Sequence, residues 1–420
     1  MVILLSGSAG LGRLPGWLLG PLLVVVIVAI LDLLFPVGLR YLAERYVQKP
    51  YVNPELAVAR WLVALAVLPW AFVQICCCQF GRDPRRILDF WVYGIALSGA
   101  LATTDLLGLT ATGDFLGNEG AISGRESGLA THANNLAVSC AVALPLSVAL
   151  GRRRPFLAVL CGVAITGGAL ASGSRGGQLG AVSSLLFVFI LVRGSRRRLW
   201  TGVAVFGVAA FAMAALVPSI GDRLNLDKVL RFANSSGTTA SDSGRRFLVE
   251  QAIADFLHRP LSGIGYEVLN HAHDIYLQML SSGGLLLAGS FAVLTAGAMR
   301  TGLSASRRGF ALGGYLVASL LTWLQVGLVE NQLTDRYLYF PLAALVVVEV
   351  VAHVHPREPV SRPELEASQE AEGQTSLAGK RPLPVGVHDD LEGTDPPGWW
   401  GLDDAPEKDG QPSVRPLRRH

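Results

Sequence analysis

Residues 17–36 read Trp17-Leu-Leu-Gly-Pro-Leu-Leu-Val-Val-Val-Ile-Val-Ala-Ile-Leu-Asp-Leu-Leu-Phe-Pro36. About 20 predominantly apolar residues in a row are what a helix needs to cross a hydrocarbon core of about 30 Å, where every peptide N–H and C=O must find its partner within the segment. The run is too long for the core of a signal peptide and lacks a small-residue cleavage site, so it is expected to be retained as a helix. Runs of similar length recur near 56–80, 87–108, 132–150, 155–172, 177–193, 199–218, 274–299, 309–329 and 337–355. The expected fold is therefore all-α and polytopic, with about ten transmembrane spans.

Composition agrees. Of 420 residues, 51% are hydrophobic and 16% charged, and the mean hydropathy is +0.43. That excludes an ordinary soluble domain, and the period-two alternation of a membrane β-barrel is absent. The net charge of +3 decides little. Of five cysteines, Cys140 and Cys161 lie within spans and Cys76, Cys77 and Cys78 near the end of another, so they read as packing residues rather than a disulfide framework.

The short connections Gly81–Arg86, Gly151–Arg154, Arg193–Arg198 and Arg300–Arg308 are rich in arginine and fall on one side of this topology. The positive-inside rule makes that side cytoplasmic, with both termini inside and 37–55, 109–131, 173–176, 219–273 and 330–336 outside. Residues 1–355 then form one membrane domain. From 356 to 420 the composition shifts to Pro, Gly, Glu, Asp and Ser without helical or strand period, which predicts a disordered cytoplasmic tail.

The outward loops hold the chemistry. Loop 219–273 carries Arg223, Lys228, Arg231, Arg245, Arg246 and Arg259 on the side where short loops should lack cations, which points to an anionic ligand such as a lipid pyrophosphate. Apolar residues at 249, 252, 253, 256 and 257 predict an amphipathic helix within it. A cap at Asp242 or Ser243 would put Arg245 and Arg246 in its first turn, against the helix dipole unless a phosphate supplies negative charge. Ala171-Ser-Gly-Ser-Arg-Gly-Gly-Gln178 is a tight outward turn centred on Arg175, and Gly124-Arg-Glu-Ser-Gly leads past His132 into a span with Asn134 at its entrance. Finally, Asn270-His-Ala-His-Asp274 places His271, His273 and Asp274 where a polar loop meets an apolar run. The two rings read as catalytic or acceptor-positioning groups, as a structural interfacial pair, or as metal ligands lacking a third and fourth partner.

Taken in order, Gly124-Arg125, His132-Ala-Asn134-Asn-Leu-Ala137, Ser172-Gly-Ser-Arg-Gly176, Ser243-Gly-Arg245, Pro260-Leu-Ser-Gly-Ile-Gly265 and His271-Ala-His-Asp-Ile-Tyr-Leu-Gln278 resemble the landmarks of the O-antigen ligase/polymerase superfamily over roughly residues 90–350. The resemblance implies a metal-independent inverting glycosyltransferase with no cofactor, using a glycan carried on undecaprenyl diphosphate at the outer face of the cytoplasmic (inner) membrane. By motif position, His273 would activate or orient the acceptor hydroxyl, and Arg175 and Arg245 would hold the donor pyrophosphate. Arg125, Asn134, Arg246, His271 and Asp274 would line the substrate cavity. The acceptor is expected to be a glycan, lipid or protein; membrane lipids are partners and nucleic acid is not. Two departures stand out. The family usually has Asn directly after its histidine, where this chain has Asp274, whose carboxylate is expected to raise the ring's basicity or fix its orientation. The span count also falls below the twelve common in the family.

The competing expectation is a transporter for an anionic solute or lipid-linked glycan. Transporters place their polar groups near the bilayer midplane, whereas here they gather at outward helix ends.

Overall fold

The computed structural model describes residues 14–35, 54–79, 83–115, 125–192, 236–266, 273–330, 333, 335 and 339–354. Among these, the regular structure is entirely helical: α1 Gly16–Leu34; α2, continuous through Pro54–Leu62, a π-helical turn Val63–Val67 and Leu68–Gln79; α3 Arg85–Leu106; α4 Thr112–Phe115; α5 Ala133–Leu150; α6 Pro155–Ala171; α7 Arg175–Leu191; α8 Ser236–His258; α9 Ile275–Arg307; α10 Leu312–Val326; and α11 Phe340–Val354. By length and apolarity α1, Leu56–Cys76 of α2, α3, α5 and α9 suffice to cross a membrane, and α6, α7, α10 and Phe340–Val351 of α11 are shorter apolar helices. The chain is a multi-pass membrane protein. Every expected span falls on one of these helices except 199–218, which lies outside the described residues, as does the tail from 356.

A helix that is apolar all round has no face to give to water and ends in the centre of the bundle. That helix is α5, buried at every residue from Leu136 to Ser147, with α3, α6, α7 and α10 around it. Small residues set the closest crossings. A Cβ on Gly168 of α6 would lie 2.4 Å from the Gly99 Cα of α3, so the two backbones touch, as helices do where lipid supplies no hydrophobic drive and van der Waals contact must hold them together. The outer surface is apolar: Leu23, Ile30 and Leu33 of α1, Phe156 and Leu160 of α6, and Val182, Leu186 and Ile190 of α7 are exposed, forming the lipid-facing belt.

The arginine-rich turns gather at one end. The Arg85 guanidinium sits 5.4 Å from the centre of the Phe310 ring, Arg153 reaches Asp89 at 3.2 Å, and Arg154 donates to the Tyr93 hydroxyl at 3.2 Å. The turns before α3, between α5 and α6, and between α9 and α10 are thus neighbours, while Arg193–Arg198 lies outside the described residues. One boundary differs from expectation. Arg300–Arg307, read as a connection, continues α9 as helix. Thr301, Gly302 and Ala305 are buried there, Thr301 Oγ1 donates to Glu349 Oε2 of α11 at 2.6 Å, and a Cβ on Gly313 would lie 2.4 Å from the Gly302 carbonyl oxygen. Packing against α10 and α11 carries the helix beyond its apolar stretch.

At its other end α9 is broken. Gly284 has φ 60 and ψ −156 inside the helix, which frees backbone groups at a depth where water cannot satisfy them. The turn Pro260–Gly265 lies alongside and supplies the partners. Leu285 and Leu286 N–H donate to the Pro260 and Leu261 carbonyls at 2.8 and 3.2 Å, and Ile264 and Gly265 N–H donate to those of Ser281 and Ser282 at 2.8 and 3.1 Å. A Cβ on Gly284 would lie 2.4 Å from the Leu261 carbonyl. Gly284→Ala is therefore expected to cost about 1–3 kcal/mol through backbone strain, with steric overlap in addition. Gly289→Ala, at a helical glycine with open space around it, should be neutral or slightly stabilising. Thermal unfolding of both variants in detergent checks the pair.

Candidate active site

The centre of the polar end is a carboxylate. Glu330 follows α10, and its side chain is 7% exposed. A carboxylate out of water needs donors or cations around it, and three arrive from separate parts of the chain. Asn134 Nδ2, in the first turn of α5, donates to Oε1 at 2.6 Å. Arg245 Nη2, from α8, donates to the same oxygen at 3.3 Å. His273 Nδ1, ahead of α9, lies 3.4 Å from Oε2.

Each partner is fixed by local structure. The loop before α5 is pinned to the end of α6: Glu126 N–H donates to the Ala171 carbonyl at 3.1 Å and Arg125 Nε to the Ser172 carbonyl at 2.8 Å. Arg125 Nη2 then donates to Asn134 Oδ1, which turns the Asn134 amide nitrogen toward Glu330. His132 caps α5, its Nδ1 accepting from Asn134 N–H at 3.1 Å. The start of α9 is tied to the end of α10: Ile275 N–H donates to the Gly327 carbonyl at 2.8 Å, and Tyr276 Oη to the Leu324 carbonyl at 2.8 Å. The chain that leaves α10 at Glu330 therefore passes His273. Among the described residues His273 is the one non-glycine with positive φ, 50, a conformation that L-residues adopt at some cost and that histidine tolerates better than most. A ring bonded to the carboxylate through Nδ1 has Nε2 left for a ligand.

Arg175 opens α7. Ser174 caps the helix by accepting from Gly177 N–H at 3.4 Å, after a turn in which Gly173 has φ +60. A Cβ on Gly176 would sit 2.7 Å from Val329 Cγ2, and one on Gly177 2.2 Å from the Ala137 Cβ. The helix carrying Arg175 is thus pressed against the residue before Glu330 and against α5. Arg245 faces Glu330 directly, and Arg125 reaches it through Asn134.

Three sequence expectations change. The helix bearing Arg245 starts at Ser236, not at Asp242 or Ser243, so Arg245 lies in its interior and the dipole of a first turn does not act on it. What separates the two arginines is the helical rotation of about 100° per residue. Arg245 points to Glu330, whereas Arg246 is exposed and pairs with Glu250 one turn on at 3.0 Å, a contact worth little in water. The carboxylate of Asp274 does not face the histidine. It caps α9, Oδ1 accepting from Tyr276 and Leu277 N–H at 2.8 and 3.0 Å, and the acid beside the ring is Glu330. His271 lies outside the described residues. Glu330 is not among the sequence candidates; its signal is an acid at the end of an apolar span, where an ionisable group requires a partner.

Among the described residues the chain is an all-helical, multi-pass membrane protein in which Asn134, Arg245, His273 and Glu330 converge at one end of the bundle. A family model described as O-Antigen ligase matches residues 156–292, a stretch holding Arg175, Arg245, the Pro260–Gly265 turn and His273, and over that stretch the chain is similar to the O-antigen ligase-like superfamily. No curated protein sequence matches the chain. The match begins after Arg125 and Asn134 and ends before Glu330.

Two outcomes follow from this geometry. Asp274→Asn, which keeps an accepting Oδ1, should leave stability nearly unchanged, while Asp274→Ala should lose about 1 kcal/mol of cap. Glu330→Ala strands the Asn134 amide, Arg245 and His273 together and is expected to lower stability by roughly 1–3 kcal/mol. Both are read from thermal unfolding midpoints.

Proposed function

We propose that the protein is a glycosyltransferase that moves or polymerises a glycan from undecaprenyl diphosphate at the outer face of the cytoplasmic membrane, in the synthesis of cell-surface polysaccharide. The observation that carries this is the meeting of Asn134, Arg245 and His273 on Glu330, because it puts an imidazole ring beside a guanidinium group able to hold a diphosphate. The O-Antigen ligase match supports the class of reaction.

In the proposed step, an acceptor hydroxyl attacks the anomeric carbon from the face opposite the diphosphate. The new C–O bond forms as the glycosyl–phosphate bond breaks, with inversion. The hydroxyl proton passes to His273 Nε2, while Glu330 at Nδ1 fixes the ring and offsets its new charge. The leaving diphosphate gathers negative charge, which Arg175 and Arg245 stabilise in place of a metal ion. The arginine-rich turns at the opposite end of the bundle support a cytoplasmic assignment for that end and an outward one for the site. A transporter would be expected to bind its solute near the bilayer midplane, whereas Asn134, Arg175, His273 and Glu330 sit at the ends of apolar helices.

The test supplies purified protein with a lipid-diphosphate oligosaccharide and candidate acceptors and follows loss of the lipid-linked donor. A length ladder would mark a polymerase and a single adduct a ligase; solute flux without turnover would overturn the enzyme reading. His273→Ala should lower turnover by about 10²–10⁴-fold with the protein still inserted. Arg245→Lys should also lose activity, because an ammonium cannot reproduce the planar fork.

A further inference from the structure

Helix α8 is inside out for a helix bathed in water. Its buried residues include Gln251, Ala252 and Asp255, the last 2% exposed, whereas Ile253 and Leu257 are 42% and 68% exposed, and Leu261 in the following turn is 67% exposed. The reversal is most pronounced in its C-terminal half. Towards the N-terminus the outward positions are mostly polar, Ser243, Gly244, Arg246 and Glu250 with Phe247 among them, and the Arg246–Glu250 pair lies in the open.

The contacts of the C-terminal half fix its level. Arg259 Nη1 donates to the carbonyl of Phe35, the residue that ends α1, at 2.6 Å. Tyr266 Oη reaches the Val25 carbonyl, farther down α1, at 3.4 Å. Pro260 and Leu261 are bonded through their carbonyls to Leu285 and Leu286, residues of a membrane-spanning helix whose side chains are exposed. Leu33 and Leu34 of α1 and Phe35, which caps it, are exposed as well. The apolar surface of Ile253, Leu257 and Leu261 is thus continuous with the lipid-facing surface of two spans, at the height where α1 ends.

We infer that α8 is an oblique interfacial helix, with its C-terminal half and the turn Pro260–Gly265 seated among the acyl chains of the bilayer leaflet on the site's side and its N-terminal half in water. The occupant of the exposed apolar face is this leaflet. An amphipathic helix in such a position turns its apolar side to lipid and its polar side elsewhere, and here the other side holds Arg245, Gln251 and Asp255. The seating holds Arg245 at headgroup height whatever ligand the site takes.

The test places a photoreactive benzoylphenylalanine in turn at Leu257, Leu261, Arg246 and Glu250 of the full chain in phosphatidylethanolamine–phosphatidylglycerol nanodiscs, then identifies adducts by mass spectrometry. Phospholipid adducts at the two leucines should exceed those at Arg246 and Glu250 by tenfold or more. Equal yields at all four positions, or adducts at the leucines only with a second copy of the chain, would overturn the inference. Hydroxyl-radical footprinting of the unaltered protein in the same nanodiscs gives an independent reading: Leu257 and Leu261 should be protected, and oxidation of both as strong as that of Phe247 would also overturn it.

Discussion

No lipid-exposed peptide group can stay without a hydrogen bond inside a bilayer, and in this protein that constraint is felt most sharply at Gly284. A helix that breaks there must be mended by another strand of chain. The Pro260–Gly265 turn does this with four backbone hydrogen bonds, and by doing so it fastens the end of α8 to the flank of α9. The orientation of α8 follows, and with it the face on which Arg245 lies. A steric requirement, glycine at a φ of +60 against the Leu261 carbonyl, thereby reaches the polar end of the bundle.

The same end depends on a second unmet need. Glu330 is too buried to rely on water, so its two oxygens collect an amide, a guanidinium and an imidazole. Ion pairs of this kind contribute little net stability, because desolvation opposes the attraction. Their effect is geometric. Asn134 is oriented by Arg125, Arg125 is held by the Ser172 carbonyl, and His273 is held by the ties between α9 and α10. Removing water's freedom to compete lets a single carboxylate set the separation of groups that are distant in sequence.

The spans were legible because twenty apolar residues admit few structures in lipid. Local chemistry was read less well wherever a tertiary contact intervened. Arg300–Arg307 looked like a loop because it is polar, yet α10 and α11 bury one side of it. The start of α8 was misplaced because Ser, Thr, Gly and Asp between 236 and 243 resemble a cap more than a helix, and propensity is only a weak prior. Asp274 looked like a partner for the histidine because it adjoins it in sequence. Its side chain is consumed by the nearest unbonded N–H groups, those of the helix it precedes, and sequence spacing cannot reveal that Glu330, fifty-seven residues from His273, stands in its place.

This division of labour between the two acids also bears on the departure from the family pattern at position 274. A cap needs an accepting oxygen, which an amide and a carboxylate both provide, so aspartate and asparagine are close to interchangeable there. The position beside the ring makes a stricter demand. In the proposed reaction the imidazole becomes cationic as the diphosphate becomes more anionic, and a fixed negative charge at Nδ1 favours the first without moving when the second occurs. Were Asp274 turned to that task, α9 would lose its cap and its first turn would lie open beside the reacting groups. With Glu330 supplying the charge from the end of α10, the helix stays closed and the ring stays aimed, so the substitution at 274 leaves the electrostatics of the site to a residue outside the motif that contains it.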